Sequence, residues 1–301
     1  MSGASEHLIT RRRGLLLLGG GGAGLLLAGA AGFGSAVAAT GDGDDHVADA
    51  ASACTLTAEQ EEGPFYVAVD DVREDIVLGQ VGISLELRIT IINVKTCKPI
   101  KHAAVDIWHC NASGVYSDIT SEDTYGETFL RGVQFTDKHG QATFRTIFPG
   151  HYLGRTTHIH ARVHIGSQNT DGKLASGHIC HTGQIFPPEA VYTQVYETSP
   201  YSAETAAVVS HAQDRVWTQQ AGYTQQMTMK LAAHTLSKGL IGSIVMGVDP
   251  SATPALIGAT STQSTVDGQG GGSAIGSGGT AGPTSTTGPT TTTTTTSTTP
   301  S

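Results

Sequence analysis

Residues 83–91 alternate without a break: Ile83, Leu85, Leu87, Ile89 and Ile91 fall on one side, and Ser84, Glu86, Arg88 and Thr90 on the other. A period of two held over this length is the mark of a strand with one buried face; an amphipathic helix would place the same residues all round its axis. Shorter strand candidates follow at 103–109, 131–136, 141–147, 158–165, 178–186, 225–231 and 240–247. Polar turn residues separate them. Asp137-Lys138-His139-Gly140, for example, predicts a hairpin with a four-residue loop. One Ala/Gln/Glu-rich stretch, 188–216, is expected to contain a short helix. Many short strands joined by polar turns predict an all-β fold, an antiparallel β-sandwich, rather than βαβ units. No internal repeat is evident, and neither a G-x-G-x-x-G nor a P-loop motif points to nucleotides.

Length alone would suggest two domains in a chain of 301 residues, but the distribution of charge argues for one. Only 14% of the chain is charged, well below the roughly 25% of ordinary globular domains. The deficit sits at the ends. Residues 1–38 hold only Glu6 and Arg11, Arg12 and Arg13, and residues 251–301 only Asp267. The block between them has a nearly normal charge density and is acidic, so one catalytic-size domain at 54–250 is expected, preceded by a flexible stretch at 39–53. An acidic body without a basic cluster offers no electrostatic footprint for nucleic acid.

The N-terminus reads as an export signal. Three arginines precede a Leu/Gly/Ala run from Gly14 to Ala31, and Ala36-Val37-Ala38 supplies an A-x-A cleavage pattern. Thr10-Arg11-Arg12-Arg13-Gly14-Leu15-Leu16 resembles a bacterial twin-arginine signal, which predicts a secreted protein with no stable membrane insertion once residues 1–38 are removed. The alternative, a retained anchor, is countered by the cleavage pattern directly after the run. The far end, 251–301, is Gly/Ser/Thr/Pro-rich with threonine from 290 to 296, and such a composition predicts a disordered tail. Cys54, Cys97, Cys110 and Cys180 would meet an oxidising compartment and are expected to form structural disulfides, whose three alternative connectivities stay open.

The chemistry concentrates in residues 102–184. Nine of thirteen histidines lie between His102 and His181. His158-Ile159-His160 falls in a strand candidate, where residues two apart share a face, so both imidazoles can reach one metal. Zinc hydrolase patterns do not complete this pair: no Asp follows as in metallo-β-lactamases, no Glu follows as in cupins, and H-E-x-x-H is absent. His164 shares the face but lies roughly 13 Å along the strand, too far for the same ion. Phenols are the nearer neighbours in sequence, in Tyr152 and Tyr116. A phenol with a pKa near 10 is an unusual ligand, yet a hard trivalent cation ionises it and binds the anionic oxygen. Two phenolates and two imidazoles suit Fe(III).

Four blocks then carry a family resemblance. They are Asp106-Ile107-Trp108-His109-Cys110-Asn111-Ala112-Ser113-Gly114-Val115-Tyr116, Phe129 to Asp137, Phe144-Arg145-Thr146-Ile147-Phe148-Pro149-Gly150-His151-Tyr152, and Arg155-Thr156-Thr157-His158-Ile159-His160. In order and spacing they resemble the intradiol ring-cleavage dioxygenases, the iron-binding half of protocatechuate 3,4-dioxygenase in particular and the secreted single-domain bacterial branch most closely. Thr57 to Tyr66, with Glu62-Gly63-Pro64-Phe65-Tyr66, resembles the family's entry segment.

By that resemblance Tyr116, Tyr152, His158 and His160 are the ligands of a non-heme Fe(III), with Tyr152 and His160 axial. The co-substrate is O₂, and the substrate a small aromatic diol opened to a cis,cis-muconic acid. Arg155 matches the arginine that stabilises the anionic substrate, and Gln184 matches the pocket glutamine at a longer spacing from His160 than is usual. The loop from Tyr152 to His158 is shorter than in protocatechuate dioxygenase, so the pocket wall it forms is expected to differ. No helical dimerisation region of the catechol 1,2-dioxygenase kind precedes Ile83, so that dimer mode is not carried over and the oligomeric state stays open. A secreted β-sandwich binding module that keeps the fold without turnover is the alternative function.

Overall fold

A computed structural model describes residues 54–258. The expected export signal at 1–38, the stretch at 39–53 and most of the Thr-rich tail lie outside the described residues. The described body is a sandwich of two sheets. One is built on β1 (Ser84–Asn93), which pairs with β11 (Leu240–Val248) on one side and with β5 (Gln141–Ile147) on the other; β2 (Lys98–Pro99) and β10 (Thr228–Leu231) extend it. The other has the order β4 (Arg131–Phe135), β3 (Ala104–Trp108), β6 (Ile159–Ile165), β9 (His178–Ile185). A small ribbon, β7 (Gln168–Thr170) with β8 (Lys173–Ala175), lies apart from both sheets.

The alternation of β1 sets the core. Leu85, Leu87, Ile89 and Ile91 are fully buried and pack with Phe144 of β5, Val105 and Ile107 of β3, and Ile159, Ala161 and Val163 of β6. The inner faces of both sheets therefore meet in one apolar layer, as sandwich packing requires. β3 and β6 are buried on both faces, so their second faces must be covered as well. That outer face carries Trp108, His160 and Arg162, and the irregular segment that holds Glu62, Phe65 and Tyr66 lies over it.

Four details differ from expectation. The sheets are antiparallel except for one pair: β1 and β11 run parallel, Leu85 opposite Leu240 through Asn93 opposite Val248. The Asp137–Gly140 turn has the expected chemistry, with Asp137 Oδ1 accepting from the backbone N–H of His139 and Gln141. It is not a hairpin, however, because β4 and β5 belong to different sheets and the turn carries the chain from one to the other. Only Cys54 and Cys97 are bonded; Cys110 and Cys180 are free and buried. Cys110 follows β3 and Cys180 lies on β9 with β6 between them, so at roughly 4.8 Å per strand they stand beyond disulfide reach. Finally, the body runs past residue 250, where Ile257 pairs with Glu61. The helix expected in 188–216 is α1 (Glu189–Val195), and a second short one, α2 (Arg215–Gln219), begins as that stretch ends. Among the described residues no helix is long and apolar enough to cross a membrane.

Candidate metal centre

Two loops and one strand bring the four predicted ligands together. The first loop leaves β3. Asn111 Oδ1 accepts from the N–H groups of Ser113 and Val115, closing a tight turn that ends on Tyr116. Gly114 sits at φ +79°, and a Cβ there would lie 2.4 Å from the carbonyl oxygen of His151, so this turn presses directly on the second loop. The second loop leaves β5 and reverses in the four residues Tyr152-Leu153-Gly154-Arg155, with Tyr152 and Arg155 bridged across the turn and Gly154 at φ +84°. Ligand phenol and site arginine are thus the two ends of one turn. Three residues on, His158 directly precedes β6, within which His160 lies in register between Trp108 of β3 and Gln184 of β9.

The donor atoms converge. His158 Nε2 is 3.1 Å from His160 Nε2 and 3.2 Å from Tyr152 Oη. Adjacent donors at right angles around one cation, each bonded at about 2.1 Å, stand roughly 3.0 Å apart, so the spacing matches a shared ion. His158 Nδ1 donates to the carbonyl of Thr156 at 2.6 Å, which leaves the lone pair on Nε2 facing the centre. Tyr116 is fully buried and its Oη has no hydrogen-bond partner apart from Tyr152. Its ring stands 5.8 Å from Tyr152 and 6.2 Å from His160.

Electrostatics keeps all four groups neutral in the protein alone. Burial holds the His158 imidazole at a pKa of about 3, with Arg155 adding to the effect, and holds His160 well below its usual value. Burial likewise pushes both phenols above the ordinary range, and Tyr152 beside it adds to the rise at Tyr116. Neutral imidazoles are ready ligands. Phenols in this setting give up their protons only to a strong, hard cation, so the donor set fits Fe(III). Among the described residues no group of three or more His, Cys, Asp or Glu side chains could hold a metal ion, so the centre depends on its tyrosines.

Around the donors is a built shell. Trp108 stacks on His160 with ring centroids 4.8 Å apart and planes within 6°. Phe65 stacks on Tyr116 at 4.4 Å and meets Tyr152 edge-on. Tyr66 packs its edge on Trp108 and carries the Arg162 guanidinium 3.7 Å from its ring centre, with Glu62 ion-paired to Arg162. Gly63, at φ +75°, brings the backbone so near that a Cβ would meet His160 Cε1 at 3.2 Å. On the other side Arg155, 12% exposed, donates to Asp214 Oδ2 at 2.7 Å and to Gln184 Oε1 at 2.5 Å, and faces Glu61 at 3.5 Å. Burial would lower the pKa of this guanidinium, but Asp214, Tyr152 and Glu61 outweigh it and hold the charge in place.

A family model described as Dioxygenase matches residues 61–236, more than half of the chain. The chain belongs to the intradiol ring-cleavage dioxygenase family. A solved structure, an intradiol ring-cleavage dioxygenase from Tetranychus urticae, aligns with 34% identity over 67% of this chain and 98% of its own, at a TM-score of 0.60. The catechol 1,2-dioxygenase of Acinetobacter baylyi is 31% identical over 167 residues, 49% of this chain and 51% of that enzyme. Catechol 1,2-dioxygenase 1 of Acinetobacter lwoffii is 30% identical over 95 residues, 30% of each chain. The chain thus spans about half, or less, of the length of these two curated relatives.

All six residues singled out from the sequence of this family member lie in one place. Tyr116, Tyr152, His158 and His160 surround the centre, and Arg155 and Gln184 sit hydrogen-bonded to each other beside it. Missed by sequence reading were Asp214 and Glu61, which fix Arg155, and Trp108 and Phe65, which back the ligand rings. Trp108 and Phe65 fell within the quoted blocks and carried a packing signal. Asp214 precedes the short helix α2 as an N-cap, which is its only local signature.

Proposed function

We propose that this chain is an exported, Fe(III)-dependent intradiol dioxygenase that opens catechol-type aromatics, lignin-derived ones among them, between their two hydroxyl-bearing carbons. The observation that carries the reading is that His158 Nε2 lies within 3.2 Å of both Tyr152 Oη and His160 Nε2, with the buried Tyr116 phenol beside them. Tyr116, Tyr152, His158 and His160 would hold the metal. Fe(III) bound there supplies the Lewis acidity that draws electron density from a bound diol and makes its ring carbon reactive toward O₂. Export by the twin-arginine route rests on the arginine cluster and the Ala-Val-Ala pattern at 36–38.

The roles of the protein groups follow from their surroundings. Tyr152 sits where burial favours the protonated phenol, so as a phenolate it is the natural acceptor for one substrate hydroxyl proton. Arg155 stands at the other end of the same turn with its charge fixed by Asp214, and it stabilises negative charge as it develops on the substrate ring. Gln184 spends its oxygen on Arg155 and its amide on the Glu61 carbonyl, and so aims the guanidinium. Phe65 and Trp108 keep water from the ligand rings. Both atoms of O₂ enter the product and no external reductant is consumed.

The test is product analysis. The iron-reconstituted protein is incubated with catechol, protocatechuate and hydroxyquinol under ¹⁸O₂, and the products are weighed by mass spectrometry. The expected result is a ring-opened diacid carrying label from both oxygen atoms. No oxygen uptake with any diol, despite bound iron, points instead to a binding module on the same fold.

A further inference from the structure

Asp214 is fully buried and lies on a segment that neither the sequence nor the ligand set singles out. Its two oxygens divide their work. Oδ1 accepts from the backbone N–H groups of Val216 at 2.8 Å and Trp217 at 3.0 Å, capping α2, and makes one long contact, 3.5 Å, with Arg155 Nη2. Oδ2 accepts from Arg155 Nε at 2.7 Å and from the backbone N–H of Thr156 at 3.0 Å. Arg155 closes the Tyr152 turn and Thr156 follows it. The carbonyl of Thr156 in turn accepts from His158 Nδ1 at 2.6 Å. A single carboxylate oxygen therefore holds the site arginine and Thr156, the residue whose carbonyl orients the predicted ligand His158.

We propose that Asp214 is a positioning residue for the ring-cleavage reaction, acting through Oδ2 on Arg155 and Thr156 and independently of its helix cap. Three features carry the assignment. First, the carboxylate is buried with all its contacts made to protein donors, so it is held by the site rather than by solvent. Second, Arg155 has two weaker supports, Gln184 Oε1 and the more distant Glu61, and neither touches Nε; Asp214 alone fixes the plane of the guanidinium at its inner end. Third, the cap does not explain the geometry. One side-chain oxygen is enough for an Asp or Asn cap to satisfy the first helical N–H groups, and here that task falls to Oδ1 while Oδ2 takes the Arg155 Nε–H and the Thr156 N–H. The inference rests on the function proposed above for what Arg155 does, but not for how Arg155 is held.

The division between oxygens makes the two roles separable. In Asp214→Asn the amide oxygen keeps the cap, while its NH₂ confronts two donors, Arg155 Nε and Thr156 N–H, and the hold is lost. In Asp214→Ala both are lost. The expected result is that Asp214→Asn stays folded with full iron content, melting below wild type but above Asp214→Ala, with kcat down by at least about tenfold, as a misplacement on the order of 1 Å produces. Asp214→Ala should show the same loss of kcat at its lower melting temperature. A readout that needs no turnover accompanies it: in ¹⁵N–¹H spectra of the metal-free protein, the Arg155 Nε–H signal, assigned by its absence in Arg155→Lys, is protected from exchange in wild type and loses that protection in Asp214→Asn. If Asp214→Asn keeps both the protected signal and the wild-type kcat, Asp214 is a helix cap only and the proposal falls. If wild type itself shows no turnover, the functional reading fails while the exchange measurement still decides whether Asp214 holds Arg155.

Discussion

The Cys54–Cys97 disulfide ties the start of the described chain to the turn after β1, closing a loop with a sequence separation of 43 residues. Replacing both cysteines by serine frees that loop in the unfolded chain. Loop-closure entropy for this length amounts to about 4 kcal/mol at 25 °C, within the roughly 2–5 kcal/mol seen when native disulfides are removed. For a body of this size about 1 kcal/mol moves the melting temperature by roughly 2–4 °C, so the double variant should melt roughly 8–16 °C below wild type. The site itself should persist at room temperature. Thr57 still pairs with Gly247 in both directions, and Gln60 still donates its N–H to Thr182, so the segment leading to Glu61 and Phe65 keeps its attachment to the sheets. Differential scanning calorimetry of wild type, wild type with reductant, and Cys54→Ser/Cys97→Ser makes the measurement. Thiol titration accompanies it: without reductant two thiols, Cys110 and Cys180, should react, and only after unfolding. A double variant that melts within about 2 °C of wild type, or a native protein with four reactive thiols on denaturation, would refute the reasoning.

Trp108 is buried against His160 and Tyr66, so Trp108→Ala should cost about 3–5 kcal/mol in urea unfolding and weaken iron retention, whereas Trp108→Phe keeps a ring on His160 and should retain its iron. Equal iron retention in Trp108→Ala and wild type would show that the stack does not orient the ligand. The metal-free protein should also lose stability on mild acidification. Burial holds His109 at a pKa of about 4 and His158 and His164 at about 3, all below the unfolded value near 6.5. Between those limits the unfolded chain binds more protons than the folded one, so this stability is present above pH 6.5 and falls as pH drops toward 4, by up to about 1.4 kcal/mol per pH unit for each histidine. Urea midpoints at pH 7, 6 and 5 give the slope, and a flat profile would contradict the neutral, buried assignment.

What the sequence made legible is what depends on local periodicity. The alternation at 83–91 placed Leu85 to Ile91 in the core because side-chain direction in a strand is set by the backbone alone. The same rule put His158 and His160 on one face, and the phenols came from their blocks. Pairing is a different matter, since period two does not say which strand lies alongside. The parallel β1–β11 pair joins the two ends of the fold, and the Asp137–Gly140 turn looks the same whether it closes a hairpin or changes sheets. The expected disulfide is present between Cys54 and Cys97, but Cys110 and Cys180 stay free for the same reason, as the strand between them is invisible to spacing. Asp214 and Glu61 reach Arg155 only through tertiary placement, each from an irregular segment with no repeat to mark it.

The central claim is that two tyrosines and two histidines form one ferric site. Its most direct measurement is the visible absorption and resonance Raman spectrum of the iron-reconstituted protein. Bound to tyrosinate, Fe(III) should give a red-purple charge-transfer band with enhanced phenolate vibrations, and Tyr116→Phe and Tyr152→Phe should each shift it with the protein still folded. A colourless protein after reconstitution, or a band unchanged in both variants, would contradict the account.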